Sequence, residues 1–153
     1  MNRISGIAAG VAAFSMLLAA PAGATPVDSA EKIRKLDIML MVTALRCRKG
    51  SDNFQPDYER FSASNLAELN AASNTLKADL SKRQGATGAK RALDKISTGM
   101  ANAYGNGHPW LDCAGLKQVA RELAAKQQPG VLLAAADEYL GSGRGRVALA
   151  AGH

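Results

Sequence analysis

"DSAEKIRKLDIMLMVTALRCRKG", residues 28–50, decides the fold. Its apolar residues Ile33, Leu36, Leu40, Ala44 and Cys47 recur in steps of three and four, the spacing of one face of an α-helix. Asp28 can cap the helix start, and Glu31, three residues on, can complete a capping box. Met39, Met41 and Val42 widen the stripe, so the sequence predicts a central helix contacted on more than one side. Arg46, Arg48 and Lys49 suit the last turn, where the helix dipole favours cations, and Gly50 suits the stop.

Downstream, the same period continues and no alternating strand pattern appears. Pro56 suits a helix start, and a second stripe reads Tyr58, Phe61, Leu66 (slightly offset), Leu69, Ala72, Leu76 and Leu80. Gly85 and Gly88 break it. A third helix is expected from Ala89 to Tyr104, with Ala92, Leu93, Ile96, Met100 and Ala103 inward and Gly99 marking close packing against a neighbour. A fourth runs from Pro109 or Asp112 to Gln127, with Trp110, Cys113, Leu116, Ala120 and Leu123 on its buried face. A fifth, Val131 to Leu140, is short and alanine-rich. The fold class is therefore all-α, a compact bundle of four to five helices.

Upstream of this bundle the chain reads as a secretory signal peptide, residues 1–24. Arg3 supplies the basic start, Ile4–Ala20 is a charge-free apolar run, and Ala22 and Ala24 occupy the small positions of an A-x-A cleavage site. The run of 17 residues is short and rich in Gly and Ala, whereas a membrane span needs about 20 strongly apolar residues. Cleavage would leave a helical domain, residues 25–140, and a flexible basic tail, residues 141–153, with no transmembrane span. That chain carries 18 Lys and Arg against 13 Asp and Glu, a net charge of +5. In an exported protein this excess points away from nucleic acid and towards solubility and weak attraction to anionic lipid or an anionic envelope polymer.

The chain has two Cys, Cys47 and Cys113, both on apolar stripes. In a periplasmic or secreted protein the expectation is one disulfide between them. It would staple the end of the first helix to the start of the fourth and stabilise the fold by ~4 kcal/mol in the chain-entropy account.

Three places could carry chemistry. The first is "GNGHPWLDC", residues 105–113, which holds His108 and the only Trp, Trp110. His108 could act as a general base with Asp112 beside it, and Asp52, Asp57 and Glu59 are free to approach, which would make a small hydrolase-like enzyme. The chain offers no nucleophile elbow. A structural corner is the better expectation: Gly105 and Gly107 turn the chain through angles other residues avoid, Pro109 starts the fourth helix, and Trp110 packs over the disulfide. The second is "RCRKG", where Arg46, Arg48 and Lys49 could bind a small anionic ligand; the competing reading is cations balancing the helix dipole. The third, "GSGRGR" at 141–146, lacks the last glycine of a dinucleotide loop and the flanking strand. Too few His, Cys and carboxylate ligands converge for zinc, so no metal and no cofactor are expected.

The stretches "MLMVTALRCR" (39–48), "DYERFS" (57–62) and "ANAYGNGHPWLDCAGLKQVARELA" (101–124) together resemble a group of small exported, periplasmic proteins of Gram-negative bacteria with one Cys pair and no established function. The likeness spans roughly residues 36–125 and is one of whole pattern. It implies a secreted helical domain and assigns no catalytic residue. The expected function is that of a non-catalytic interaction or envelope-associated module, its partner another envelope protein or an anionic polymer.

Overall fold

The computed structural model describes residues 25–141. The expected signal peptide, and the tail beyond Gly141, lie outside the described residues. Five helices follow in chain order: α1 Pro26–Cys47, α2 Gln55–Ser64, α3 Leu66–Ala103, α4 Cys113–Ala125 and α5 Val131–Leu140. No strand occurs among the described residues. The all-α bundle expected from the periodicity is the fold.

Helix α1 is its axis and packs against each of the other four. Five consecutive residues, Leu36 to Leu40, are buried, a full turn covered on every side. The helix starts three residues earlier than expected. Thr25 is the cap: its hydroxyl accepts from the Asp28 N–H at 3.1 Å, and the Asp28 carboxylate accepts from the Thr25 N–H at 3.1 Å. Asp28 is thus the third-position partner of the capping box, and Pro26 begins the helix with its φ already set.

The long second helix expected from the stripe is two helices. The chain breaks at Asn65, where the offset of Leu66 marks the change of face: Leu66 is 54% exposed and Asn65 turns inward. The buried Asn65 amide nitrogen donates to the carbonyl of Phe61 at 3.0 Å and to that of Leu123 at 3.1 Å. One side chain therefore joins the end of α2 to the last turn of α4. Offering backbone carbonyls a partner outside the helical ladder is what Asn does readily, and it is why Asn favours helix ends.

Helix α3 makes the most extensive contact with α1. Its axis breaks at Gly85, whose φ of +73° and ψ of +169° are non-helical. The helix resumes at once, at Ala86, three residues before the expected Ala89. Leu69, Ala72, Leu76 and Leu80 are buried before the break, Ala89 and Met100 after it. Gly99 does not mark close packing: it is exposed, and a Cβ there would meet no atom within 4 Å.

Helix α2 packs on α4, and α5 on α1. The core between them holds Leu36, Met39, Leu40, Phe54, Phe61, Leu116 and Leu132, each at most 2% exposed. Cys47, the last residue of α1, and Cys113, the first of α4, form the disulfide, with Cα atoms 5.8 Å apart. No helix among the described residues is long and apolar enough to cross a membrane.

Candidate functional site

The corner between α3 and α4 is built from the backbone outward. Tyr104 ends α3, and the Gly107 N–H donates to the Tyr104 carbonyl at 2.9 Å. Gly107 has φ of +105° and lies against Arg46; a Cβ there would sit 3.4 Å from Arg46 Nε. Gly105 has no positive φ, so of the two glycines only Gly107 uses a conformation that other residues avoid.

His108 is held from both ring nitrogens. Nδ1 accepts from the Leu111 N–H at 3.1 Å, with the Trp110 N–H at 3.4 Å. An accepting Nδ1 leaves the proton on Nε2, which donates to the Tyr139 carbonyl at 2.9 Å. The ring lies parallel to Tyr104 with centroids 6.0 Å apart and meets Trp110 edge-on at 4.4 Å. Burial of Tyr104 raises its phenol above the usual value.

Trp110 is not where the stripe places it. It precedes α4, is half-buried, and stands against His108. Pro109 likewise lies outside the helix, because Asp112 is the cap: its carboxylate accepts from the Gly115 N–H at 2.8 Å. Trp110 Nε1 is buried with no hydrogen-bond partner.

Arg46, His108, Asp112, Cys47 and Cys113 do come together around a shallow groove of about 220 Å³. Each polar member has a task inside the chain: Arg46 donates to the Gly105 carbonyl at 3.3 Å, His108 joins the corner to α5, and Asp112 caps α4. Asp112 is the one carboxylate lining the groove. Arg48 and Lys49 lie in the exposed turn after α1 and do not line it, so the three cations of "RCRKG" do not converge on one point there. Among the described residues no group of three His, Cys, Asp or Glu is placed to hold a metal ion.

The remaining carboxylate candidates are elsewhere. Asp57 is 5% exposed on α2 and accepts from Arg121 Nε at 3.0 Å and from Arg60 at 3.4 Å, tying α2 to α4. Asp52 takes a hydrogen bond from Ser51 and Glu59 one from Gln55, both local. Apolar periodicity did not single out a second buried carboxylate. Asp37 on α1 is 8% exposed and accepts from the Tyr58 hydroxyl at 3.1 Å and from Arg34 at 3.2 Å. Burial pushes the Asp37 carboxyl above the usual range, against the opposing pull of Tyr58 and Arg34. Burial first, and then the Asp37 charge, push the Tyr58 phenol up as well. The sequence signal was available: Asp37 interrupts the apolar run of a helix predicted to be contacted on more than one side, and such a position demands a partner.

No family model, curated protein or solved structure matches this chain.

Proposed function

We propose that the chain is an exported, disulfide-stapled helical module that acts through its surface and carries out no catalysis of its own. The observation that carries this reading is the commitment of His108: one ring nitrogen accepts backbone N–H groups, and the other meets the Tyr139 carbonyl. A general base needs a ring nitrogen aimed at a substrate or a bound water, with a carboxylate or carbonyl orienting the other. Here both positions are filled from within the chain, and the only carboxylate on the groove caps a helix.

The disulfide supports export, since such bonds persist in oxidising compartments. Cleavage after Ala24 would leave Thr25, the capping residue of α1, as the first residue, so processing would spare the helix start. A periplasmic or secreted location and a partner in the envelope, protein or anionic polymer, complete the reading.

Expression of the full chain followed by osmotic shock and intact-mass measurement tests the location. The expected species begins at Thr25 and contains no free thiol. An unprocessed cytosolic chain with two reactive thiols would overturn it. Absence of catalysis is tested by assaying ester and amide hydrolysis with the native chain and with His108→Gln. Turnover by the native chain, lost in a variant that still melts cooperatively, would establish the hydrolase in place of the module.

A further inference from the structure

Most of the net charge of the chain is concentrated on α3, away from the corner. Between Lys77 and Lys95 there are six cations, Lys77, Lys82, Arg83, Lys90, Arg91 and Lys95, against Asp79 and Asp94. That is +4 of the +6 carried by the whole chain. All six are exposed. Arg83 pairs with Asp79, and none of the other five forms an ion pair among the described residues.

This charge flanks the break at Gly85 on both sides. At 1.5 Å rise per residue, Lys82 and Arg83 lie within about 5 Å of the break along the axis, and Lys90 and Arg91 within about 9 Å beyond it. Residues on both sides of the break are buried, Leu76 and Leu80 before it and Ala89 and Met100 after it, whereas the six cations are exposed. Gly88 lets the two segments approach, since a Cβ there would stand 2.9 Å from Gln84 Cβ. The result is a basic point on the surface, at the break of the longest helix.

We propose that this point, centred on Lys82, Arg83, Lys90 and Arg91, docks the protein on an anionic phospholipid bilayer. Two features select that partner. The stretch 81–88, "SKRQGATG", has no large apolar side chain, so contact is by charge at the headgroups, without insertion. From Ser81 to Lys95 there is no aromatic residue on which a nucleic-acid base could stack. Each Lys or Arg held near such a surface strengthens partition by roughly fivefold. The inference goes beyond the exported-module reading, and vesicle binding is measured without regard to where the cell places the chain. Failure of one therefore leaves the other standing.

The test is co-sedimentation of the full chain with vesicles of phosphatidylcholine alone and of phosphatidylcholine with phosphatidylglycerol, at low and high salt. The neutral vesicles report any binding through the apolar residues 4–20, so the readout is the ratio of anionic to neutral binding. The native chain is expected to prefer anionic vesicles and to lose the preference at high salt. The triple variant Lys82→Gln, Lys90→Gln, Arg91→Gln is expected to reduce the ratio by at least about tenfold while melting like the native chain. The triple variant Arg46→Gln, Arg48→Gln, Lys49→Gln removes the same charge from the last turn of α1 and the turn after it, and is expected to retain most of the preference. An unchanged ratio in the first variant overturns the proposal. An equal loss in both variants also overturns it, by showing that net charge alone governs binding. So does binding of the native chain to single-stranded DNA in place of vesicles.

Discussion

His108 donates from Nε2 to the carbonyl oxygen of Tyr139 at 2.9 Å, joining the corner before α4 to the last turn of α5, 31 residues away. The last carbonyls of a helix have no partner within it, and here a side chain from another element supplies one. The same ring closes the corner through Nδ1 and the Leu111 N–H.

This geometry gives His108 structural weight although it lies outside the helices. Replacing it with Ala removes a hydrogen bond from each of two half-buried backbone groups, so His108→Ala should cost about 2 kcal/mol. Trp110→Phe should cost under about 1 kcal/mol, because the indole N–H it removes is buried and has no acceptor. Urea melts of the two variants decide: a His108→Ala midpoint within error of native would show that its two contacts contribute nothing.

What the sequence made legible was the apolar period. It located α1, α5, the break at Gly85 and the Cys47–Cys113 bond, because those depend on burial and on backbone stops. Polar partnerships were not legible. Asp57 could be read as free to approach His108, yet it faces Arg121, 64 residues away, and no local pattern encodes that pairing. Asn65 was hidden because one interruption of a long stripe reads as tolerance, and only the Leu123 carbonyl shows why the break falls there. Of the two starts the sequence allows for α4, Pro109 and Asp112, only the first puts Trp110 on the helical face of Cys113; the cap at Asp112 removes it from that face.

Asp57 gives a second prediction. Its carboxylate is buried, whereas Arg121 and Arg60 are largely exposed. A pair of this kind should be coupled more strongly than an ordinary surface pair, which is worth ~0–1 kcal/mol. A double-mutant cycle of Asp57→Ala and Arg121→Ala should give a coupling of about 1–2 kcal/mol, and the same cycle with Arg60→Ala a smaller one, since that contact is longer at 3.4 Å. Equal coupling to both would show that the pairing is diffuse and does not pin α2 to α4.

Asp37 and Tyr58 set a pH dependence of defined sign. The folded carboxyl of Asp37 titrates above its ordinary 3.8, so the fold holds that proton more tightly than the unfolded chain does. The resulting stability is complete below 3.8 and is lost as pH rises through the folded value. Asp37→Asn keeps an acceptor for the Tyr58 hydroxyl and has no carboxyl to ionise, so stability should fall less than in the native chain as pH rises above 3.8. Tyr58 acts at the other end. Its phenol is raised, so its contribution is present below the ordinary value of 10.0 and is lost as pH rises through the folded value. Tyr58→Phe should flatten the alkaline decline while lowering stability at neutral pH by about 1 kcal/mol through the lost hydrogen bond. Chemical denaturation across the pH range checks both; an acid limb identical in Asp37→Asn and native protein would remove Asp37 from the account.

Gly105 and Gly107 stand two residues apart and should respond differently to one added methyl group. Gly107 holds φ of +105°, where an L side chain clashes with its own backbone, and its Cβ would press on Arg46 at 3.4 Å. Gly105 has ordinary backbone angles, and its Cβ would rest 3.5 Å from the Asn102 carbonyl, a normal contact. A Gly→Ala change at a compatible position stabilises by about 0.4–1 kcal/mol through the unfolded chain, whereas one at positive φ destabilises by more than that. Gly107→Ala should therefore lower stability by about 1–2 kcal/mol, and Gly105→Ala should leave it unchanged or raise it slightly. The Arg46 side chain that the added methyl group at Gly107 would displace also donates to the Gly105 carbonyl, so Gly107→Ala in an Arg46→Ala background should cost less than it does alone. Thermal melts of the two single variants, and of the pair with Arg46→Ala, read this out. An equal cost at both glycines would mean that the turn at Gly107 does not require its left-handed conformation.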